Sequence, residues 1–477
     1  VNGFVGTAAF QGLGGGVRDV VEPATGEVLG SVGTADADDV RAAVTAAAAA
    51  QPGWAATAPA ERGAILRRAA QFLERHSDDV VEWLVRESGS VPGKARYELG
   101  SVLDELWAAA ALPTEPHGDL LPDSPGRLSF ARRQPLGVVA VISPWNVPLL
   151  LGMRALAPAL ALGNAVVLKP DENTPFSGGR VTEEIFAAAG LPEDVLRVVP
   201  GGAEAGRALV AAEEVSMVAF TGSTSVGRLI GAEAGGALKR VSLELGGNNA
   251  FVVLDDADVD AAVSAGAFGS FFHQGQVCMA AGRHIVLASV AEEYVEKLAA
   301  RAERLTAGDP WRERADLGPI INAAQLERVD RIVRETIAAG ADLRAGGTHR
   351  GPFYRPTVLA GVKPDMPAVT EEIFGPVAPV LVAADEDEAV ALANRTEYGL
   401  TAAVQTGSAE RGLALAERLS TGIVHVNGHT IDDNAFVPFG GRGASGNGSR
   451  HGARQSWEEF TQWRWLTVRS SAVASAF

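Results

Sequence analysis

The chain has 477 residues, 47% apolar and 21% charged, enough for two or three domains around a large buried core. A formal net charge of −17 excludes a nucleic-acid binder working through a basic surface. One cysteine, Cys278, excludes an internal disulfide and leaves a single thiol free for chemistry. Val1-Asn2-Gly3-Phe4 carries no basic-then-apolar leader. The apolar run from Leu136 to Met153 is broken by Pro144, Asn146 and Pro148, short of the roughly 20 residues that a membrane helix needs. The expectation is a cytoplasmic protein with no membrane partner.

Residues 36–111 read as helical. Asp36, Asp38 and Asp39 supply capping carboxylates ahead of an alanine-rich segment. Pro59-Ala60-Glu61 opens a second helix, with Ile65, Leu66, Ala69, Phe72 and Leu73 at helical spacing. A hairpin follows: Asp119–Leu121 and Arg127–Phe130 flank the turn Asp123-Ser124-Pro125-Gly126. Four apolar runs come next, at 137–142, 165–168, 196–199 and 217–220, each separated by room for a helix. Buried strands alternating with helices predict a parallel, doubly wound α/β sheet. The alternation resumes after Gly247, at 250–254, 285–286, 358–359, 378–382 and 423–426, and predicts a second α/β domain. Thr461–Ser470 alternates Trp463 and Trp465 with Gln462 and Arg464, the pattern of an extended edge strand open to pairing.

In doubly wound sheets ligands bind beyond the carboxyl ends of the strands, so the loops there carry the candidates. Ser143–Pro148 holds Asn146 between two prolines; its amide suits an oxyanion or, equally, a turn. Lys169, Asp171 and Glu172 follow the second run and suit ribose hydroxyls, or a solvated charged loop. Phe220-Thr221-Gly222-Ser223 leads into a helix whose N-terminus suits a pyrophosphate, although it lacks the GxGxxG fingerprint. Glu244 ends an apolar run before two glycines, which fits a general base in a dry site or a salt bridge to Lys239 or Arg240. Cys278 follows the polar turn His273-Gln274-Gly275-Gln276; it reads as a nucleophile or as a small buried apolar residue.

Taken in order, these segments resemble the aldehyde dehydrogenase superfamily. The matching motifs are Pro-Trp-Asn-x-Pro at 144–148, Lys-Pro at 169–170 with Glu172, and Phe-Thr-Gly-Ser at 220–223. Leu-Glu-Leu-Gly-Gly at 243–247, Gly-Gln-x-Cys at 275–278, Glu-Ile-Phe-Gly-Pro at 372–376 and Pro-Phe-Gly-Gly at 438–441 complete the set. Asp171 and Asn248 depart from the commoner small residue and lysine. Gly-Gly-Asn-Asn-Ala at 246–250, with Leu-Asp-Asp-Ala-Asp at 254–258, resembles the benzaldehyde and vanillin dehydrogenase branch.

The resemblance implies a cofactor domain from 1–114 and 136–246 and a catalytic domain over 247–443. It implies an oligomerisation element from 115–135 and 458–477 that makes a homodimer or homotetramer. It implies that Cys278 attacks an aldehyde, Asn146 holds the oxyanion and Glu244 activates the water that hydrolyses the thioester. The nicotinamide cofactor, NAD ahead of NADP, would lie along Ile142, Ser143, Pro144 and Trp145, with Lys169, Asp171, Glu172 and Gly202 at its adenosine end. Phe220, Thr221, Gly222, Ser223 and Val226 would meet its phosphates, and Leu245, Gly246, Glu372 and Phe374 its nicotinamide end. No metal is implied. Val147, Phe272, Val277, Phe436 and Phe439 are expected to line an apolar substrate funnel or, equally for the three phenylalanines, to be ordinary core packing. Arg154 is expected either as a structural residue or, in a semialdehyde dehydrogenase, as the partner of a substrate carboxylate. A CoA-acylating dehydrogenase and a non-catalytic relative are further alternatives; Glu244 argues against the first, and its presence with Cys278 and Asn146 against the second.

Overall fold

The computed structural model describes residues 3–452 and 454–472. Val1, Asn2 and the last five residues of the expected oligomerisation element lie outside them. Four helices, Ala37–Ala56, Pro59–Arg75, Ser77–Ser88 and Pro92–Ala111, fill the predicted helical region. Asp36 starts the first through a reciprocal cap with Asp39.

The four apolar runs and the strand Arg240–Glu244 form one five-stranded parallel sheet. Its spatial order starts with Arg240–Glu244, then Val215–Thr221, Val138–Ile142, Ala165–Lys169 and Leu196–Val198. Chain order reverses between Val138–Ile142 and Val215–Thr221, which makes the gap beyond these two strand ends the crevice of the sheet. Val138–Ile142 and Ala165–Lys169 are buried at every position, which is why they read as unbroken apolar runs instead of alternating ones.

A seven-stranded sheet carries the second half. Asn249–Val253 lies between Ala281–Leu287 and Thr401–Gln405, all parallel, and Asp342–Ala345 pairs antiparallel at one edge. The hairpin forms as Gly118–Leu120 against Arg127–Pro135, and the strand Thr461–Arg469 adds to it over nine residue pairs. Not anticipated from the sequence were the strands Asp342–Ala345 and Thr401–Gln405, the short pair His349–Arg350 and Phe353–Tyr354, and an N-terminal three-stranded sheet of Ala8–Ala9, Val28–Gly33 and Val17–Val21. Among the described residues no helix is long and apolar enough to cross a membrane.

Candidate active site

The crevice is a cleft lined by Pro144, Trp145 and Asn146 from one strand end and by Thr221, Gly222 and Ser223 from the next. Leu245, Gly246, Cys278, Glu372 and Phe374 close its far side. Three close approaches shape it. A Cβ on Gly246 would stand 2.3 Å from the Glu372 carboxylate, one on Gly222 2.4 Å from the Phe220 ring, and one on Gly227 2.3 Å from Leu245. Ser223 caps the helix Thr224–Gly236, accepting the Val226 N–H, so the positive end of that helix opens beside the cleft. The Val226 side chain is exposed on the first turn.

Cys278 lies at the cleft floor. Asn249 Nδ2 donates to its carbonyl at 2.8 Å, which ties the loop to the strand that follows Glu244. Burial, then the carboxylates of Glu372 and Glu244, push the thiol up to about 12, so at rest it holds its proton. Glu244 is buried at the end of its strand, and burial holds its carboxyl well above the ordinary range. Its Oε2 accepts the Gly441 N–H at 3.4 Å, and its Oε1 has no protein partner. The salt-bridge alternative fails: Lys239 donates to the carbonyls of Val210 and Ala212, and Arg240 to that of Thr461.

Asn146 is buried, and its Nδ2 donates to the Gln276 carbonyl at 2.8 Å. An amide carries two N–H groups, so that bond fixes the plane of the side chain and leaves a second donor. The turn alternative does not describe it, because its partner is 130 residues away.

Glu372 is a buried carboxyl that burial raises to about 7; its Oε1 accepts the Gly247 N–H at 2.8 Å. Phe374 takes a left-handed φ of 54° and meets Trp145 edge to face, ring centres 5.5 Å apart. Ile142 and Ser143 continue the strand into the cleft wall, with the Ser143 N–H donating to the Lys169 carbonyl. Farther along, Lys169 is buried beside Gly206, Asp171 holds Asn173, and Glu172 pairs with Arg18 at 2.6 Å. A Cβ on Gly202 would stand 3.5 Å from Glu172. The residues fit a dinucleotide: a helix N-terminus for phosphate, backbone within reach at glycines, and carboxylates at both ends for ribose hydroxyls.

The substrate side differs from expectation in two places. Arg154 is not available to a substrate carboxylate. It is buried, donates to Glu105 at 3.1 Å and also to Asp433, and stacks over the Phe439 ring at 4.5 Å. Phe436 does not share a lining with Phe272 and Phe439. Phe436 is 63% exposed, and Phe439 packs with Val277, Met279, Leu400 and Ile431 beneath the cysteine. Phe272 packs with Cys278 against that same cluster, and also stacks on Phe268 and meets Tyr97 edge to face, an aromatic group drawn from two distant helices. Val147 precedes the helix Pro148–Ala161 and packs into the neighbouring core.

Sequence reasoning missed several participants. Gln325 donates to the Phe374 carbonyl and Arg328 to that of Glu372; both lie in the cleft on the helix Ala323–Ala338. Lys94, Glu98, Glu105 and Asp433 were also missed. Helix periodicity places a residue on a face, but it does not reveal which distant loop that face will meet.

The Aldehyde dehydrogenase family model matches residues 14–466. A vanillin dehydrogenase from an Amycolatopsis species is 50% identical over 476 residues, spanning 100% of this chain and 98% of the relative. A benzaldehyde dehydrogenase (NAD+) of Pseudomonas putida is 50% identical over 455 residues, 95% of this chain and 93% of that one. Betaine aldehyde dehydrogenase from Staphylococcus aureus, solved in complex with NAD+, superposes with a TM-score of 0.93 at 29% identity, covering 97% of this chain and 94% of that one. An Escherichia coli NADP dependent enzyme superposes with a TM-score of 0.92 at 35% identity, covering 97% and 96%. With its cleft at the sheet crevice and its thiol, carboxyl and amide around it, the chain belongs to the aldehyde dehydrogenase family.

Proposed function

We propose that this chain oxidises aromatic aldehydes of the benzaldehyde and vanillin kind to carboxylic acids, with NAD+ favoured and NADP+ usable. The reading rests on Cys278 and Asn146 lining one cleft, with Glu244 in the adjoining cavity that shares Leu151 and Thr221 with it and close enough for its charge to act on the thiol. Glu244 keeps one oxygen, and Asn146 one N–H, without a protein partner. Two relatives that act on aromatic aldehydes, each at 50% identity, support the substrate class, as does Phe272, which packs with Cys278 against the Val277 and Phe439 cluster.

Cys278 loses its proton to Glu244 and its sulfur bonds to the aldehyde carbon. The carbonyl electrons move onto oxygen, which the free Asn146 N–H and the Cys278 backbone N–H hold; removing one such donor typically costs about 10²–10³ in rate. NAD+, when bound, would supply the hydride acceptor; Glu372 would hold its ribose and Phe374 would pack against its nicotinamide end. Loss of the adduct's C–H hydrogen as hydride leaves the Cys278 thioester. Glu244, having passed the thiol proton to solvent, then takes a proton from water, whose oxygen attacks the thioester carbon; the C–S bond breaks, releasing the acid and the Cys278 thiolate. Glu172, facing Gly202, favours ribose hydroxyls over a 2′-phosphate because like charges repel, while Lys169 stands ready for that phosphate.

The second reading, a semialdehyde dehydrogenase, loses its support because two carboxylates already hold Arg154. The partner is a small aldehyde. The exposed strand Thr461–Arg469 supports a second copy of the chain as an assembly partner, and a cytoplasmic enzyme fits the single free thiol.

The test is a panel of aromatic, aliphatic and carboxylated aldehydes with each cofactor, with and without CoA. Aromatic aldehydes with NAD+ should lead in kcat/KM by about tenfold or more, the scale of apolar pocket discrimination, and yield free acid. A preference for carboxylated aldehydes, or acyl-CoA as product, would overturn the reading.

A further inference from the structure

Beneath Asn146 lies an ion pair that the reaction itself does not use. Lys94 and Glu98 stand one helical turn apart on Pro92–Ala111, at 1% and 0% exposure, with Nζ 2.6 Å from Oε2. Each spends its remaining capacity on the Asn146 loop. Lys94 Nζ donates to the Asn146 backbone carbonyl at 2.8 Å. Glu98 Oε1 accepts the N–H groups of Leu149 and Leu150, at 2.9 and 3.3 Å.

Those two donors are the first that the helix Pro148–Ala161 offers, because Pro148 has none and Val147 provides no side-chain cap. Glu98 therefore caps that helix from another element, and Lys94 grips the loop two residues before it. On its other side Asn146 is tied to Gln276, two residues before Cys278. The segment entering that turn is conformationally held: His273 and Gln274 have φ of 50° and 57°, and Gln274 Nε2 donates to the carbonyls of Gly89 and Pro319. Lys94 also lies close enough to His273 for its charge, after burial, to hold that imidazole well below its usual range.

Stability alone does not account for such a pair, since a buried ion pair is often no better than apolar residues of the same volume. What apolar residues lack is direction: they cannot fix a carbonyl and two amides at once. We propose that Lys94 and Glu98 are positioning residues that aim the free Asn146 N–H at the oxyanion of the Cys278 adduct. This rests on the oxyanion role proposed for Asn146.

The test is a double-mutant cycle of Lys94→Met and Asn146→Ala, read by kcat/KM for aldehyde and by the Kd of NAD+ from protein fluorescence. Lys94→Met should lower kcat/KM by about 10- to 100-fold, the scale of a misplaced donor, with the NAD+ Kd unchanged. In the Asn146→Ala background the same substitution should cost no more than about twofold, because a residue acting through another loses its effect once that one is gone. An equal loss in both backgrounds, or a Kd that rises in step with it, overturns the positioning role. A wild-type rate for Asn146→Ala alone overturns the oxyanion assignment and this proposal with it. If Lys94→Met does not fold, Glu98→Gln takes its place, keeping the volume and removing the charge.

Discussion

At the residue scale, the buried carboxyl of Glu244 sets a pH dependence whose sign follows from burial. Its pKa is raised, so it is protonated, and no base, at pH values where an exposed glutamate is already ionised. Turnover should therefore climb as pH rises through that raised value, with an ascending limb above the ordinary ~4.3 of glutamate. The thiol of Cys278, also raised, adds to the same limb. A kcat profile already flat from pH 5 upward would contradict this. Glu244→Gln should give one NADH per site in a stopped-flow burst that is slower than wild type, because the Cys278 thiol has lost its base, and then stall, since its amide takes no proton from water. Steady turnover at the wild-type rate would remove Glu244 as the base. Cys278→Ala should abolish the burst as well.

At the scale of elements, the cleft depends on glycines that let strand-end loops pass close to side chains. Gly246 is the sharpest case. A methyl there would stand 2.3 Å from Glu372 Oε2, the far end of a side chain that can swing away. Gly246→Ala should therefore raise the KM for NAD+ about tenfold or more, through loss of the carboxylate that faces the ribose, and lower stability by about 1–3 kcal/mol, through loss of the Gly247 N–H bond to Glu372. A drop in Tm with no change in that KM would show that Glu372 stays in place and the backbone yields instead.

The same elements explain what the sequence revealed. Val138–Ile142 and Ala165–Lys169 were legible because strands buried on both faces must be apolar throughout. Thr401–Gln405 is equally buried but is built of Thr, Ala, Ala, Val and Gln, too weak a signal to mark a strand. Val17–Val21 is exposed at all but one position and exists because it pairs with Val28–Gly33. Cys278, Glu244 and Asn146 were legible as motifs because each has a compulsory local setting. Lys94 was not, because its role appears only once its helix meets a loop 52 residues away.

At the scale of the whole molecule, the strand Thr461–Arg469 has, among the described residues, one neighbouring strand, Arg127–Pro135, and beyond Thr461, whose carbonyl accepts from Arg240, presents a row of backbone donors and acceptors along its other edge. Trp463, Trp465 and Val468 are 49%, 62% and 52% exposed. Part of that area is already used within the chain: Arg133 lies 4.3 Å over Trp463, Arg127 5.7 Å over Trp465, and Trp465 Nε1 donates to Ser129. Those contacts stiffen the sheet, but they leave the outer edge unpaired, and a long exposed edge with aromatic residues invites a second chain. The protein should therefore run as a dimer or larger assembly in light scattering coupled to size exclusion. Thr467→Pro removes one backbone donor near the strand's end and should shift the population toward single chains while the distant cleft still binds NAD+. A wild-type protein of single-chain mass at micromolar concentration would overturn the assembly. A Thr467→Pro variant that stays associated would move the interface away from this edge.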